Sequence, residues 1–148
     1  MARDTTTGNH FEAIVATCLA RSAEKNGFEY RSQKFIGIKP GGGRHKIDWE
    51  LVDIQDPDIR GLISCKVQNT SGSADEKVAY EVIKLLHAMI DDDRYKKSWL
   101  ILGGNHWRPE MRDFLEVQMP KYVPLMNELR FKVLYTDDLI SSDLKLRN

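Results

Sequence analysis

The sequence has no excess of either charge, no long hydrophobic run and few cysteines. Its 148 residues include 22 Lys and Arg and 22 Asp and Glu, so the formal net charge is zero. Binding of a polyanion through overall charge is thereby excluded, and any nucleic-acid contact needs a local basic surface. No apolar run reaches the ~18 residues needed to span a membrane, which predicts a protein without a membrane partner.

The two cysteines and the chain's polar start indicate the compartment. Cys18 and Cys65 both lie in apolar stretches, which favours buried free thiols over a disulfide. Residues 1–8 are polar and threonine-rich and do not resemble a signal peptide. We therefore expect a cytoplasmic protein. The length predicts a single domain over residues 1–148.

Hydrophobic periodicity predicts an α/β fold in the order helix, three strands, helix, strand, helix, strand. Apolar residues recur at helical spacing over about 9–26 and 74–91. Strands are predicted at 28–38, 47–51, 63–68, 98–104 and 131–135. The strand–helix–strand order around the second helix implies a right-handed crossover in a mixed sheet.

The second and third predicted strands combine an apolar face with a polar one. In 63–68 the polar face carries Ser64, Lys66 and Gln68. In 47–51 it carries Asp48 and Glu50, and the apolar face is expected to be Ile47, Trp49 and Leu51. Acids and a lysine on one face of neighbouring strands form a candidate metal-and-lysine site. The alternative is a structural ion pair at a sheet edge.

A basic, glycine-rich segment separates the first two strands. Glycines 41–43 are flanked by Lys39, Arg44, His45 and Lys46. A nucleotide-binding P-loop is excluded, because a strand follows the glycines where a P-loop needs a helix start. The segment is predicted to be either a DNA-backbone contact loop or a solvated hairpin.

The element order, with an acid on one central strand and a lysine on the next, resembles the PD-(D/E)XK nuclease superfamily over about residues 8–104. Asp48 takes the place of the first acid, after an isoleucine where the motif has proline. Lys66 takes the place of the lysine, Gln68 matches a glutamine that often follows it, and Glu12 matches a glutamate on the first helix. The resemblance implies a restriction-endonuclease-like α-β-β-β-α-β core with a central mixed sheet flanked by helices. Residues 105–148 would add C-terminal helices and a last strand.

The motif's second acid is missing, because Ser64 stands two residues before the lysine. Some restriction enzymes of the superfamily have Ser-x-Lys here and take a carboxylate from the following helix, where Glu81 fits and Glu76 is the second choice. The downstream pattern, which includes Lys77, is similar to small catalytic subunits or domains of type II restriction endonucleases. Without the resemblance, Lys77, Glu81 and Lys84 form a surface salt-bridge stripe, and Glu12 is a favourable charge near a helix start.

The resemblance implies a Mg²⁺-dependent, site-specific double-strand DNA endonuclease of restriction or homing type, in which Mn²⁺ can substitute. Lys66 would orient or activate the attacking water, and Ser64 and Gln68 would hold the water or the phosphate. The expected metal ligands are Asp48, Glu81, Glu12 and the carbonyl of Cys65. The expected DNA contacts are Lys39, Arg44, His45, Lys46 and Lys77.

Two alternatives to this function stay open. One is a structure-selective nuclease, such as a Holliday junction resolvase or repair nicking enzyme. The other is a catalytically inactive DNA-binding module. His45 and His106 are weaker candidates for a general base than for exposed polar residues.

Cleavage of both strands implies more than one active site. The partner would be a second copy, in a homodimer or higher homo-oligomer, or a larger recognition subunit, in a prokaryotic or phage-infected cell. The candidate interface is an apolar set that alternatively caps the sheet: Trp107, Met111, Phe114, Tyr122 and Met126.

Overall fold

The computed structural model describes residues 6–67, 74–104 and 107–147, and among these the side chains of all but 6–9 and 74–76. The predicted order of elements is confirmed, with additional short helices before the last strand. In chain order the elements are α1 (Thr6–Asn26), β1 (Phe28–Ile38), β2 (Arg44–Asp53), β3 (Arg60–Val67), α2 (Ala74–Asp91), β4 (Tyr95–Gly103), α3 (Pro109–Asp113), a π-helical turn (Phe114–Gln118), α4 (Met119–Tyr122), α5 (Leu125–Glu128), β5 (Arg130–Tyr135) and α6 (Thr136–Ser141).

The strands form one mixed sheet in the order β1-β2-β3-β4-β5. β1, β2 and β3 are antiparallel neighbours, whereas β3, β4 and β5 run parallel. Parallel neighbours require crossovers, and α2 supplies the one between β3 and β4. The α/β fold with a central mixed sheet flanked by helices is therefore confirmed.

Each face of the sheet carries its own hydrophobic cluster. The cluster on the α2 side takes Leu62 and Leu100, and the cluster on the side of α1 and α6 takes Ile63 and Ile101. Adjacent residues of β3 and β4 thus alternate between the clusters, as the period of two requires. β4 is buried on both faces because it is the fourth strand of five and has parallel neighbours.

The ladder between β1 and β2 is interrupted beside Asp48. Register pairs join Ser32 to Trp49 and Lys34 to Ile47 on either side of the interruption, and Gln33 between them has a φ of 54°. Left-handed backbone is uncommon for a residue other than glycine and marks a local distortion. The prediction that Ile47 shares one apolar face with Trp49 and Leu51 is wrong. Ile47 packs in the α2 cluster and the other two pack on the α1 side, so the alternation along β2 is broken between Ile47 and Trp49, opposite Gln33.

The apolar set proposed as an interface mostly covers the sheet. Trp107 and Met126 are buried, and Met111 and Phe114 pack partly against the α2 cluster. The capping alternative therefore describes these four, while Tyr122 is 78% exposed. In the described part of the chain, every helix is too short or too polar to cross a membrane.

Candidate active site

Asp48 lies where β2 and β3 separate. The paired residues of the two strands run from Val52–Arg60 to Trp49–Ile63, and beyond this point the Asp48 carboxylate reaches the β3 backbone. Its Oδ2 accepts a hydrogen bond from the Cys65 backbone N–H at 2.7 Å. Burial raises the pKa of Asp48, although the Cys65 N–H, the charge of Lys66 and a hydrogen bond from the Gln33 side chain act against this. The site thus holds a carboxylate that its neighbours only partly stabilise as an anion.

Glu81 of α2 occupies the position opposite the Ser64-x-Lys66 pair. Ser64 Oγ donates to Glu81 Oε2 at 3.0 Å, and Lys66 Nζ lies 3.3 Å from Glu81 Oε1. The Glu81 side chain is only 9% exposed, whereas that of Lys66 is 38% exposed. The helix after β3 therefore supplies a carboxylate beside the lysine.

A second lysine holds the same carboxylate. Lys84 Nζ lies 2.7 Å from Glu81 Oε1, one helical turn further along α2. Burial acts to raise the pKa of Glu81, but the hydrogen bond from Lys84 and the charge of Lys66 outweigh it and leave the pKa below its usual value. Glu81 is therefore ionised under ordinary conditions, and its charge contributes to the raised pKa of Asp48.

Three elements thus bring together Asp48, Ser64, Lys66 and Glu81. Gln33 and Lys84 also belong to the group, and sequence reasoning did not assign them to it. Lys84 was recognised only as part of a surface stripe, and the spacing of three from Glu81 was its available signal. Gln33 gave no such signal, because a residue with left-handed backbone conformation inside a strand leaves no pattern in the local sequence.

Glu12 is not joined to this group by a described hydrogen bond or ion pair. It is exposed on α1, and its charge acts on the Cys65 thiol, whose pKa is raised mainly by burial. Cys65 packs on the α1 side of the sheet, whereas Glu81 projects from α2 on the other. Gln68 and His106 lie outside the described residues, as does the side chain of Glu76.

The basic segment between β1 and β2 forms a hairpin tip, where Tyr80 Oη donates to the Pro40 carbonyl at 2.5 Å. Arg44, Lys46 and Lys77 are exposed and Lys39 is half-buried. His45 is only 3% exposed, so the expectation of an exposed residue is wrong for it, whereas its contact with DNA stays a prediction. Its side chain turns inward, and burial and the charge of Lys84 lower its pKa.

The carboxylates of Asp48 and Glu81 offer oxygen ligands of the kind that a divalent cation such as Mg²⁺ binds. No cluster of three or more His, Cys, Asp or Glu that could hold a metal occurs among the described residues. Mg²⁺ retains several waters and needs only one or two carboxylates. Two mutually repelling and partly desolvated carboxylates fit such an ion, because its charge would offset both the repulsion and the desolvation.

An acid where two antiparallel strands separate, a lysine on the next strand and a carboxylate from the crossover helix are the arrangement expected of the restriction-endonuclease-like class. A comparison with protein families matches residues 5–144 to the PD-(D/E)XK nuclease superfamily domain. The chain belongs to this superfamily, whose nucleases generally use divalent metal ions. No curated protein and no solved structure gave a significant match.

Proposed function

We propose that the protein is a Mg²⁺-dependent, site-specific double-strand DNA endonuclease of restriction or homing type. The observation that supports this most is the approach of Glu81 to Ser64 and Lys66, at 3.0 and 3.3 Å. Ser64 stands where the motif has its second acid, and Glu81 offers a carboxylate from the neighbouring helix. An inactive DNA-binding module would not need this arrangement.

In this proposal Lys66 orients the attacking water and neutralises charge that develops on the phosphate. Its ion pair with Glu81 holds the ammonium group near the carboxyl end of the central strand β3, where 38% of the side chain is exposed to solvent. Asp48, Glu81 and the Cys65 carbonyl would hold Mg²⁺, and Mn²⁺ could take the same oxygen ligands. When bound, the ion would lower the pKa of a water and offset phosphate charge.

The β1–β2 hairpin supplies the candidate contact to DNA. Arg44 stacks on the Phe35 ring, with its guanidinium carbon 3.7 Å from the ring centroid, and Lys46 Nζ lies 5.8 Å from the same centroid. Phe35 is 45% exposed, so the stacked group faces solvent. Lys46 is two residues from Asp48 along β2, which supports phosphate contacts next to the scissile bond.

One chain offers one such site, so cleavage of both strands would use a homodimer or higher assembly, or a larger recognition subunit.

A cleavage assay tests the function. We expect the wild type to convert a long mixed-sequence duplex into discrete fragments with Mg²⁺, but not with Ca²⁺ or EDTA. Asp48→Ala and Lys66→Ala should both lose this activity.

Other outcomes of the assay would change the proposal. Cleavage of branched but not linear DNA would replace it with a structure-selective nuclease. Nicking alone would indicate a missing partner subunit. A soluble wild type that cuts neither linear nor branched DNA would contradict the proposal and favour an inactive binding module.

A further inference from the structure

Lys66 belongs to a row of residues that crosses the parallel half of the sheet. It is the register partner of Leu102 on β4, and Leu102 is the register partner of Tyr135 on β5. Lys66 Nζ lies 3.3 Å from Glu81 of α2. Leu102 and Tyr135 pack in the hydrophobic cluster on that same side of the sheet, so the row shares one face. All three residues stand at or next to the last residue of their strands, so the β5 end of the row belongs to the same edge as the candidate catalytic lysine.

Arg112 of α3 covers the β5 end of this row. Its guanidinium carbon lies 3.9 Å from the centroid of the Tyr135 ring. The ring is buried, with Tyr135 only 4% exposed, whereas Arg112 is exposed. Trp107 Nε1 donates to the Gly103 carbonyl at 2.6 Å, which anchors the segment before α3 to the end of β4. The two contacts hold the cation beside the strand ends and leave it accessible to solvent.

A cation held in this way is suited to bind a phosphate. The N–H donors of a guanidinium lie in its own plane, so stacking on a ring leaves them available. The entropy lost on binding is also smaller, because the ring contact restricts the side chain before any ligand arrives. A cavity of about 590 Å³ at this edge is lined by Arg112 and by the β4 and β5 members of the row, and its wall also carries His10 and Asp137. The guanidinium therefore faces open space that extends along the row.

The spacing between Lys66 and Arg112 matches a short stretch of one DNA strand. Neighbouring strands of a sheet lie about 4.8 Å apart, so the β5 end of the row is about 10 Å from Lys66. Successive phosphates of a DNA strand advance by about 3.4 Å along the duplex axis, so a strand whose phosphate meets Lys66 has another at this distance about one to three nucleotides away. We propose that Arg112 binds this second phosphate and thereby holds the substrate strand in register with the scissile bond. The inference rests on the proposed nuclease function.

The salt dependence of DNA binding tests the phosphate contact without any cleavage. A labelled mixed-sequence duplex is titrated in Ca²⁺ at several KCl concentrations, and the slope of log K against log[KCl] is measured for each variant. Arg112→Gln should reduce the magnitude of this slope by about 1 and weaken binding about threefold to tenfold at about 0.1 M salt. Arg112→Lys should restore most of the slope, because lysine keeps the charge. Lys96→Gln is the matched control, because Lys96 is exposed near the opposite end of β4.

Three results would overturn the proposal. One is an unchanged slope in Arg112→Gln; if this variant also melted at a lower temperature than the wild type, Arg112 would serve only to cover the Tyr135 ring. Another is an equal change of slope in Lys96→Gln, which would show an effect of net charge and not of a contact. The third is a wild type that binds no duplex, which would contradict the proposed function as well.

Neutral phosphates locate the contact along the strand. In a duplex built on the mapped cleavage site, methylphosphonates replace the phosphates on either side of the scissile one, one at a time. We expect one replacement to weaken binding by the wild type and to have no further effect on Arg112→Gln, since both changes remove the same interaction. Independent effects at every position would overturn the placement of Arg112 beside the scissile phosphate. Failure of the nuclease function is read separately, because it appears as equal cleavage by the wild type and Asp48→Ala, whereas the salt slope needs no cleavage.

Discussion

Two of the three carboxylates on strand β2, Asp48 and Asp53, lie five residues apart and have opposite surroundings. Asp53 accepts hydrogen bonds from Arg147 at 2.9 and 3.1 Å and from the backbone N–H groups of Gln55 and Asp56. The bonds from Arg147 lower the pKa of Asp53. Asp48 accepts one bond from backbone N–H and one from Gln33, and burial raises its pKa.

The difference separates a structural acid from a candidate catalytic one. Asp53 is 4% exposed, yet its charge is matched by a guanidinium and four hydrogen bonds, so it joins the end of β2 to the C-terminal segment. Asp48 is desolvated with fewer donors and lies close enough to Glu81 to feel its charge. A half-buried carboxylate without a full set of donors is stabilised by a cation, which is the physical argument for a metal beside Asp48.

The largest expected effect comes from matched amide substitutions in the middle of β2, at Asp48, and at its last residue, Asp53. Asp48→Asn should lower the single-turnover cleavage rate by about 10³-fold or more, because a neutral amide is a poor ligand for Mg²⁺. Asp53→Asn should leave cleavage within about twofold. Its free energy of unfolding should fall by about 1–3 kcal/mol, because it weakens hydrogen bonds to a buried charge.

Denaturant unfolding gives the other half of this comparison. Asp48→Asn should be as stable as the wild type or more stable, since it removes a desolvated charge. Both contrasts are needed: if Asp53→Asn also abolished cleavage in a folded protein, or Asp48→Asn retained it, the division into structural and catalytic acids would be wrong.

A smaller effect is expected from the cations that serve the two regions. Lys66→Met should lower cleavage by about 10²-fold, because it removes the group that orients the water. Arg147→Met should leave cleavage unchanged and lower the melting temperature, because Asp53 loses its fork of two hydrogen bonds. Cleavage rates and thermal melts of the two variants check this. If Lys66→Met and Arg147→Met lost cleavage equally, Lys66 would be acting through the stability of the folded protein and not through the chemistry of cleavage.

The fold was predictable from the sequence because it depends on local periodicity and on the order of elements, and the family was indicated by a resemblance in that order and in a few motif residues. The second helix was predicted over 74–91 and observed at Ala74–Asp91, and the first strand over 28–38 was observed at Phe28–Ile38. Both segments are long, and turn residues set their limits: Gly27 and Pro40 flank the strand, and Gly72 and Ser73 precede the helix. The superfamily resemblance is likewise confirmed by the match over residues 5–144.

Predictions based on alternation failed beside the distortion at Gln33. Ile47 precedes Asp48 on β2 and packs on the α2 side of the sheet, where alternation with Trp49 and Leu51 did not place it. The positive φ of Gln33 is set by tertiary packing and is not encoded in a turn residue such as glycine. Lys84 was missed as a site residue because most lysines on helices are exposed to solvent and serve no site. Its 2.7 Å contact with Glu81 distinguishes it from such lysines. The catalytic and metal-binding roles of the site residues stay predictions.

The smallest expected effect is the pH dependence of stability, where the two acids should act with opposite signs. The folded-state pKa of Asp48 is raised, so its contribution to stability is present at low pH and is lost as the pH rises through the folded-state value. The folded-state pKa of Asp53 is lowered, so its contribution is present above the unfolded-state value and is lost as the pH falls through the folded-state value. Unfolding free energies of the wild type, Asp48→Asn and Asp53→Asn across the acid range test this. Relative to the wild type, Asp48→Asn should gain stability as the pH rises from acid to neutral, and Asp53→Asn should lose it.

Adding Mg²⁺ should stabilise the wild type at neutral pH and not Asp48→Asn, because a cation that binds only the folded carboxylate reverses the cost of ionising it. Equal stabilisation of both proteins by Mg²⁺ would place the cation elsewhere and leave the raised pKa of Asp48 as a product of burial alone.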